Sequence, residues 1–154
     1  MHMKTEALAP AKLPPAPTID ELGRDQAKKL DPTRSVNDMP ADLREMLRAV
    51  DLTNVRPSQL RGIVTKLFEQ GRISEDAAGE FLLARRTGAK RLSDDGPINL
   101  VEEMRQALKR SGAIMQRYSF AETDRIYDEA YAAARGLNEV IAFLRKHPRL
   151  DVRA

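Results

Sequence analysis

Arg56-Pro57-Ser58-Gln59-Leu60 opens the stretch that decides the fold. An apolar helical stripe follows, then Gly71-Arg72-Ile73-Ser74-Glu75-Asp76, then a second stripe running to Arg86. Pro57 suits the first turn of a helix, where its missing N–H would be an orphan in any case. Gly71 suits the left-handed position just past a helix end. Ser74 can cap the next helix, and Glu75 and Asp76 complement the positive end of its dipole. A helical hairpin is therefore written with punctuation at every boundary. Its first helix spans Pro57 to Gln70, with Leu60, Ile63, Val64, Leu67 and Phe68 inward. Its second runs from Glu75 to about Arg86, with Ala77, Ala78, Phe81, Leu82 and, ahead of it, Ile73 inward.

Upstream, Leu43, Met46, Leu47 and Val50 share one helical face, so a helix is predicted from near Pro40 to Asp51. Downstream, the polar loop Lys90–Pro97 leads to Asn99-x-x-Glu102, close to a capping box, and a helix carrying Leu100, Met104, Ala107 and Leu108. Gly112 either ends that helix or is passed on the way to Tyr118. Ser119-x-x-Glu122 starts the last helix. There Phe120, Thr123, Tyr127, Ala130, Ala134, Leu137, Ile141 and Leu144 form a near-heptad seam. Ile126, Tyr131, Ala133 and Val140 widen it into a stripe suited to packing within one chain, so a monomer is expected. Ala130, Ala134 and Gly136 keep part of the seam narrow enough for close approach by the helix from Leu100 or the one from Pro57. No alternating segment predicts a strand.

The fold class expected is all-α, about five helices in a small orthogonal or bundle-like domain over residues 39–147. A disordered Pro/Ala-rich tail, 1–38, precedes it, and residues 148–154 fray. The tail holds five of the nine prolines. Ile19, Leu22 and Leu30 offer too little apolar surface to offset ordering entropy, so deleting the region is expected to spare the fold. Met1-His2 is read as a cloning remnant, which leaves His147 as the natural histidine.

Composition narrows the function classes. The 154 residues include no cysteine, which removes disulfides, thiolate catalysis and cysteine-based zinc sites. The net charge is only +3, spread as 0, +1 and +2 over residues 1–38, 39–98 and 99–154. No segment is basic enough to demand nucleic acid or an anionic membrane. Neither a membrane span nor a signal-peptide core is visible, so the expected location is cytoplasmic. Asp124, Asp128, Glu129, Glu102 and Glu103 lack the histidine partners of a metal site in a bundle, and they are read as solvated salt-bridge formers. Tyr118, Tyr127 and Tyr131 are expected at helix contacts with their hydroxyls near water. No cofactor, metal or catalytic constellation is predicted.

The hairpin has the turn length of a helix-turn-helix, but a recognition helix contacts DNA with its N-terminal residues. Here those are Glu75, Asp76 and Glu80, which repel phosphate. Arg85, Arg86, Lys90 and Arg91 cluster at the opposite end. Their default role is to complement a helix C-terminus. Their functional reading is contact with an acidic protein partner, or with nucleic acid as a weak alternative. Arg145, Lys146, Arg149 and Arg153 repeat the pattern after the last helix.

Arg56-Pro57-Ser58-Gln59-Leu60 with Leu67-Phe68-Glu69-Gln70-Gly71-Arg72-Ile73-Ser74 resembles a segment of small uncharacterised bacterial helical proteins, some of which accompany flagellar or secretion genes. The likeness covers about 30 residues and carries no catalytic residues. It implies a bacterial, helical, non-enzymatic protein, here expected to be a protein-binding or regulatory module.

Overall fold

The computed structural model describes residues 17–24, 36–85, 95–118 and 121–147. The chain is all-α. Six helices lie in the described residues: α1 Ile19–Arg24, α2 Ala41–Arg48, α3 Pro57–Glu69, α4 Glu75–Leu83, α5 Leu100–Tyr118 and α6 Ala121–Lys146. The only non-helical pairing among them is an isolated bridge. Val55 N–H donates to the Ile98 carbonyl at 2.9 Å, and Ile98 N–H returns the bond at 2.8 Å. With the bond from Leu100 N–H to the Leu52 carbonyl, 2.7 Å, it sets the starts of α3 and α5 side by side.

The hairpin forms as its punctuation predicts. Pro57 occupies the first turn of α3, and Gly71 has φ +67°, which a glycine adopts without steric cost. The Ser74 hydroxyl accepts the Ala77 N–H at 3.1 Å, and the Asn99 side chain likewise accepts the Glu102 N–H at 3.0 Å. Ser74→Ala is expected to cost about 1 kcal/mol in urea-unfolding stability, the usual worth of such a cap. One cap is not local. Ser58 donates its N–H and its hydroxyl to the two oxygens of Asp95, each at 2.7 Å, so a carboxylate far along the chain closes α3. These bonds hold Asp95 below the usual aspartate range.

α6 is the organiser. It packs most extensively against α1, then α5, α4 and α2. Ala130, Ala133, Ala134, Leu137, Val140, Ile141 and Leu144 of its stripe are all buried. The expected inner residues Leu43, Leu47, Leu60, Ile63, Val64, Leu67, Ala77 and Phe81 are buried as well. Gly112 does not break α5, nor Gly136 α6.

Three expectations need correction. The tail boundary is the first. Within residues 1–38, Ile19–Arg24 is a docked helix, and Ile19, Leu22 and Val36 belong to the core. The neighbour that meets Gly136 is α1, while α5, the expected neighbour, also packs on α6. A side chain at Gly136 would meet the Ile19 carbonyl oxygen at 2.2 Å, and one at Gly23 would meet the Ala132 carbonyl oxygen at 1.5 Å. Two helices whose backbones touch this closely bury Ile19 and Leu22 far better than six residues would suggest. Residues 1–16 and 25–35 of the expected tail lie outside the described residues, as do 148–154. Second, Phe68 and Leu82, read as inward, are exposed. Phe68 follows the buried Leu67 by about 100° of helix rotation and falls past the edge of the stripe, and Leu82 lies in the last turn of α4, where the chain turns away at Ala84. Third, α4 stops at Leu83 rather than near Arg86, because Ala84 turns to an extended conformation with ψ 134°.

Candidate functional site

The predicted partner-binding residues are Arg85, Arg86, Lys90 and Arg91. Only Arg85 is among the described residues; the other three lie outside them. Phe81, fully buried, anchors the last turn of α4. Beyond it the Ala84 N–H closes onto the Phe81 carbonyl at 3.2 Å. The Arg85 guanidinium donates to the carbonyls of Leu82, 2.8 Å, and Ala84, 2.7 Å. It thus satisfies terminal carbonyls that a helix end leaves without partners. Its charge is held at the negative end of the helix dipole, as the default reading expects.

The same turn exposes apolar surface that the periodicity did not anticipate. Leu82 is 40% and Leu83 67% exposed, next to each other at the end of α4. From Leu82 to Ser93 the chain carries four basic residues and no acid. A pair of leucines therefore leads directly into a segment of charge +4.

The other end of α4 is occupied differently. Ile19 N–H donates to the Arg72 carbonyl at 3.2 Å, and Ser74 N–H donates to an Asp20 carboxylate oxygen at 3.0 Å. The end that a recognition helix would present to DNA thus meets α1 and carries the exposed acids Glu75 and Asp76. Beside it a shallow cleft of about 310 Å³ lies between Thr18, Asp38 and Arg72. Burial lowers the Arg72 pKa, and Asp38 opposes that shift.

Two of the acids on α5 and α6, Glu102 and Glu129, form ion pairs. Glu102 accepts from Arg105 at 2.6 and 2.9 Å and from Gln106 at 2.8 Å, bonds that pull its pKa down to about 2. Glu129 pairs with Arg24 of α1. Asp128 is exposed, and the Asp124 side chain lies outside the described residues. Among the described residues no three His, Cys, Asp or Glu side chains gather as a metal site requires, and no helix is long and apolar enough to cross a membrane. Tyr127 and Tyr131 are half-buried, with the Arg135 guanidinium 5.2 Å from the Tyr131 ring centre. His147 rests against Phe143 at the end of α6, ring centres 4.4 Å apart. Arg145 has a structural partner: it donates to the Val50 carbonyl at 2.6 Å, tying the end of α6 to the loop after α2.

Comparison with protein-family models, with curated proteins and with solved structures finds no match.

Proposed function

We propose that this chain is a non-enzymatic protein-binding module that docks an acidic, amphipathic segment of a partner protein at the C-terminal end of α4. The setting proposed is the bacterial cytoplasm, in keeping with the resemblance of the α3–α4 hairpin. One observation carries the reading: Leu82 and Leu83 are exposed beside each other and run into the basic segment containing Arg85, Arg86, Lys90 and Arg91. Desolvating paired leucines supplies affinity, while the cations that follow them in the sequence steer an acidic ligand and set its register. A nucleic-acid backbone would use the cations and leave the leucines idle.

The test is a titration with a labelled helical peptide bearing leucines on one face and glutamates on the other. Leu82→Ser/Leu83→Ser should weaken binding about tenfold or more, the loss of roughly 1–2 kcal/mol at an interface anchor. Arg86→Glu/Arg91→Glu should slow association and remove its salt dependence. Equal affinity of the serine variant, or no affinity in the parent, overturns the reading. So does tight duplex or single-stranded binding that survives the serine changes and falls steeply with salt, the signature of phosphate contacts.

A further inference from the structure

We propose that α1 is a pH-responsive clasp: protonation of Asp20 tightens its seat across α6 and the α4 cap, and ionisation of Asp20 loosens it. This goes beyond the binding reading and does not depend on it.

α1 is short but closely packed. It has six residues, of which Ile19 and Leu22 supply the apolar burial. Gly23 and Gly136 let its backbone lie directly on that of α6. The bond from Ile19 N–H to the Arg72 carbonyl ties α1 to the turn before α4, and the ion pair of Arg24 with Glu129 ties it to α6. In the middle sits Asp20, only 6% exposed. One of its oxygens accepts the Ser74 N–H; the other, Oδ1, is buried without a hydrogen-bond partner. A buried carboxylate usually gathers several donors, because an ion out of water is costly unless it is paired and hydrogen-bonded.

The charges around Asp20 do not supply the missing stabilisation. Glu129 faces it from α6 and repels it. Arg24, on its own helix, attracts it but is engaged with Glu129. From α4 the contact is the neutral Ser74, and Glu75 and Asp76 are exposed. From the turn before α4, Arg72 is half-buried and under the influence of Asp38. Burial, the largest cause, therefore raises the Asp20 pKa above its ordinary 3.8, with the Ser74 hydrogen bonds opposing. The sign follows by linkage. A carboxyl whose pKa is higher docked than released binds its proton more tightly when docked. Docking then strengthens as pH falls through the docked value and gains no more below the released value.

Native-state hydrogen exchange reads this directly. The Ile19 amide is bonded to the Arg72 carbonyl, so its protection, corrected for intrinsic exchange, reports docking; the Val64 amide in α3 reports the body of the fold. As pH falls from about 7 to the ordinary aspartate value of 3.8, the Ile19 protection should rise relative to Val64, by at most about tenfold per pH unit for one proton. Asp20→Asn keeps an acceptor for Ser74 without the charge. It should dock more tightly than the parent at neutral pH and show no such rise. A parent without the rise, or an Asp20→Asn chain that shares it, overturns the proposal. If Asp20→Asn lowers Val64 protection too, the carboxyl carbon of Asp20 in the unaltered chain decides. A titration midpoint above the ordinary aspartate value supports the clasp, and one at or below it overturns it.

Discussion

Gly136→Ala should destabilise this protein by about 2–5 kcal/mol, although helix propensity alone predicts the opposite sign. Within an exposed helix, alanine is favoured over glycine by about 1 kcal/mol. Gly136 is not exposed. A Cβ there would stand 2.2 Å from the Ile19 carbonyl oxygen and 2.8 Å from the Gly23 nitrogen, and both are backbone atoms that no rotamer change can move. α1 must lift off. Ile19, fully buried, and Leu22, 7% exposed, then return to water, at roughly 1.5–3 kcal/mol each. Urea unfolding checks the loss. A double-mutant cycle checks its cause: in an Ile19→Ala/Leu22→Ala background, where docking is already weak, Gly136→Ala should be neutral or stabilising. Destabilisation of the same size in both backgrounds would place the damage inside α6 instead.

That contact also marks where the sequence stops being legible. The α3–α4 hairpin is local. Pro57, Gly71 and Ser74 act on residues within a turn of themselves, so their consequences can be read in order along the chain. α1 has one local signature, a capping box in which the Thr18 hydroxyl accepts the Glu21 N–H and the Glu21 carboxylate accepts the Thr18 N–H, but nothing local that says where it docks. Its six residues contain two large apolar side chains, and they fold because a glycine on α1 meets a glycine on a helix far away in sequence. The hint was a paired one, Gly23 after Ile19 and Leu22, and Gly136 amid Ala133, Ala134 and Leu137, and it acquires meaning only when the two are placed together. Asp95 capping α3 is hidden for the same reason: nothing near Ser58 or Asp95 announces the other.

The candidate site divides along the same line. A basic cluster at the end of α4 can be read from composition, and the dipole explains Arg85, whose guanidinium holds the last carbonyls. The exposure of Leu82 and Leu83 cannot be read that way, because it depends on where the helix stops. With α4 continued to Arg86, the inner face would draw Leu82 in; with the chain extended at Ala84, the last turn anchors through Phe81 and leaves both leucines outside. A shift of three residues at one helix end separates a packed face from an exposed one.

Leu137→Ala together with Ile141→Ala should unfold the domain outright. The two side chains lie one turn apart on the buried face of α6, 0% and 2% exposed, in the core shared with α1, α4 and α5. Each truncation alone should cost about 2–5 kcal/mol, the range set by how far neighbours relax into the cavity. A domain of this size has roughly 5–15 kcal/mol in total, so each single variant should fold with a lowered urea midpoint. Because the side chains are neighbours, their losses need not add, and one enlarged cavity can collapse more readily than two separate ones. The prediction therefore turns on circular dichroism of the double variant at ambient temperature. Helical signal lost in the double variant and kept in both singles is expected. A double variant that keeps its helical signal and a cooperative transition would show that α6 is held mainly by its small-residue contact with α1, and that the large side chains of its stripe are secondary.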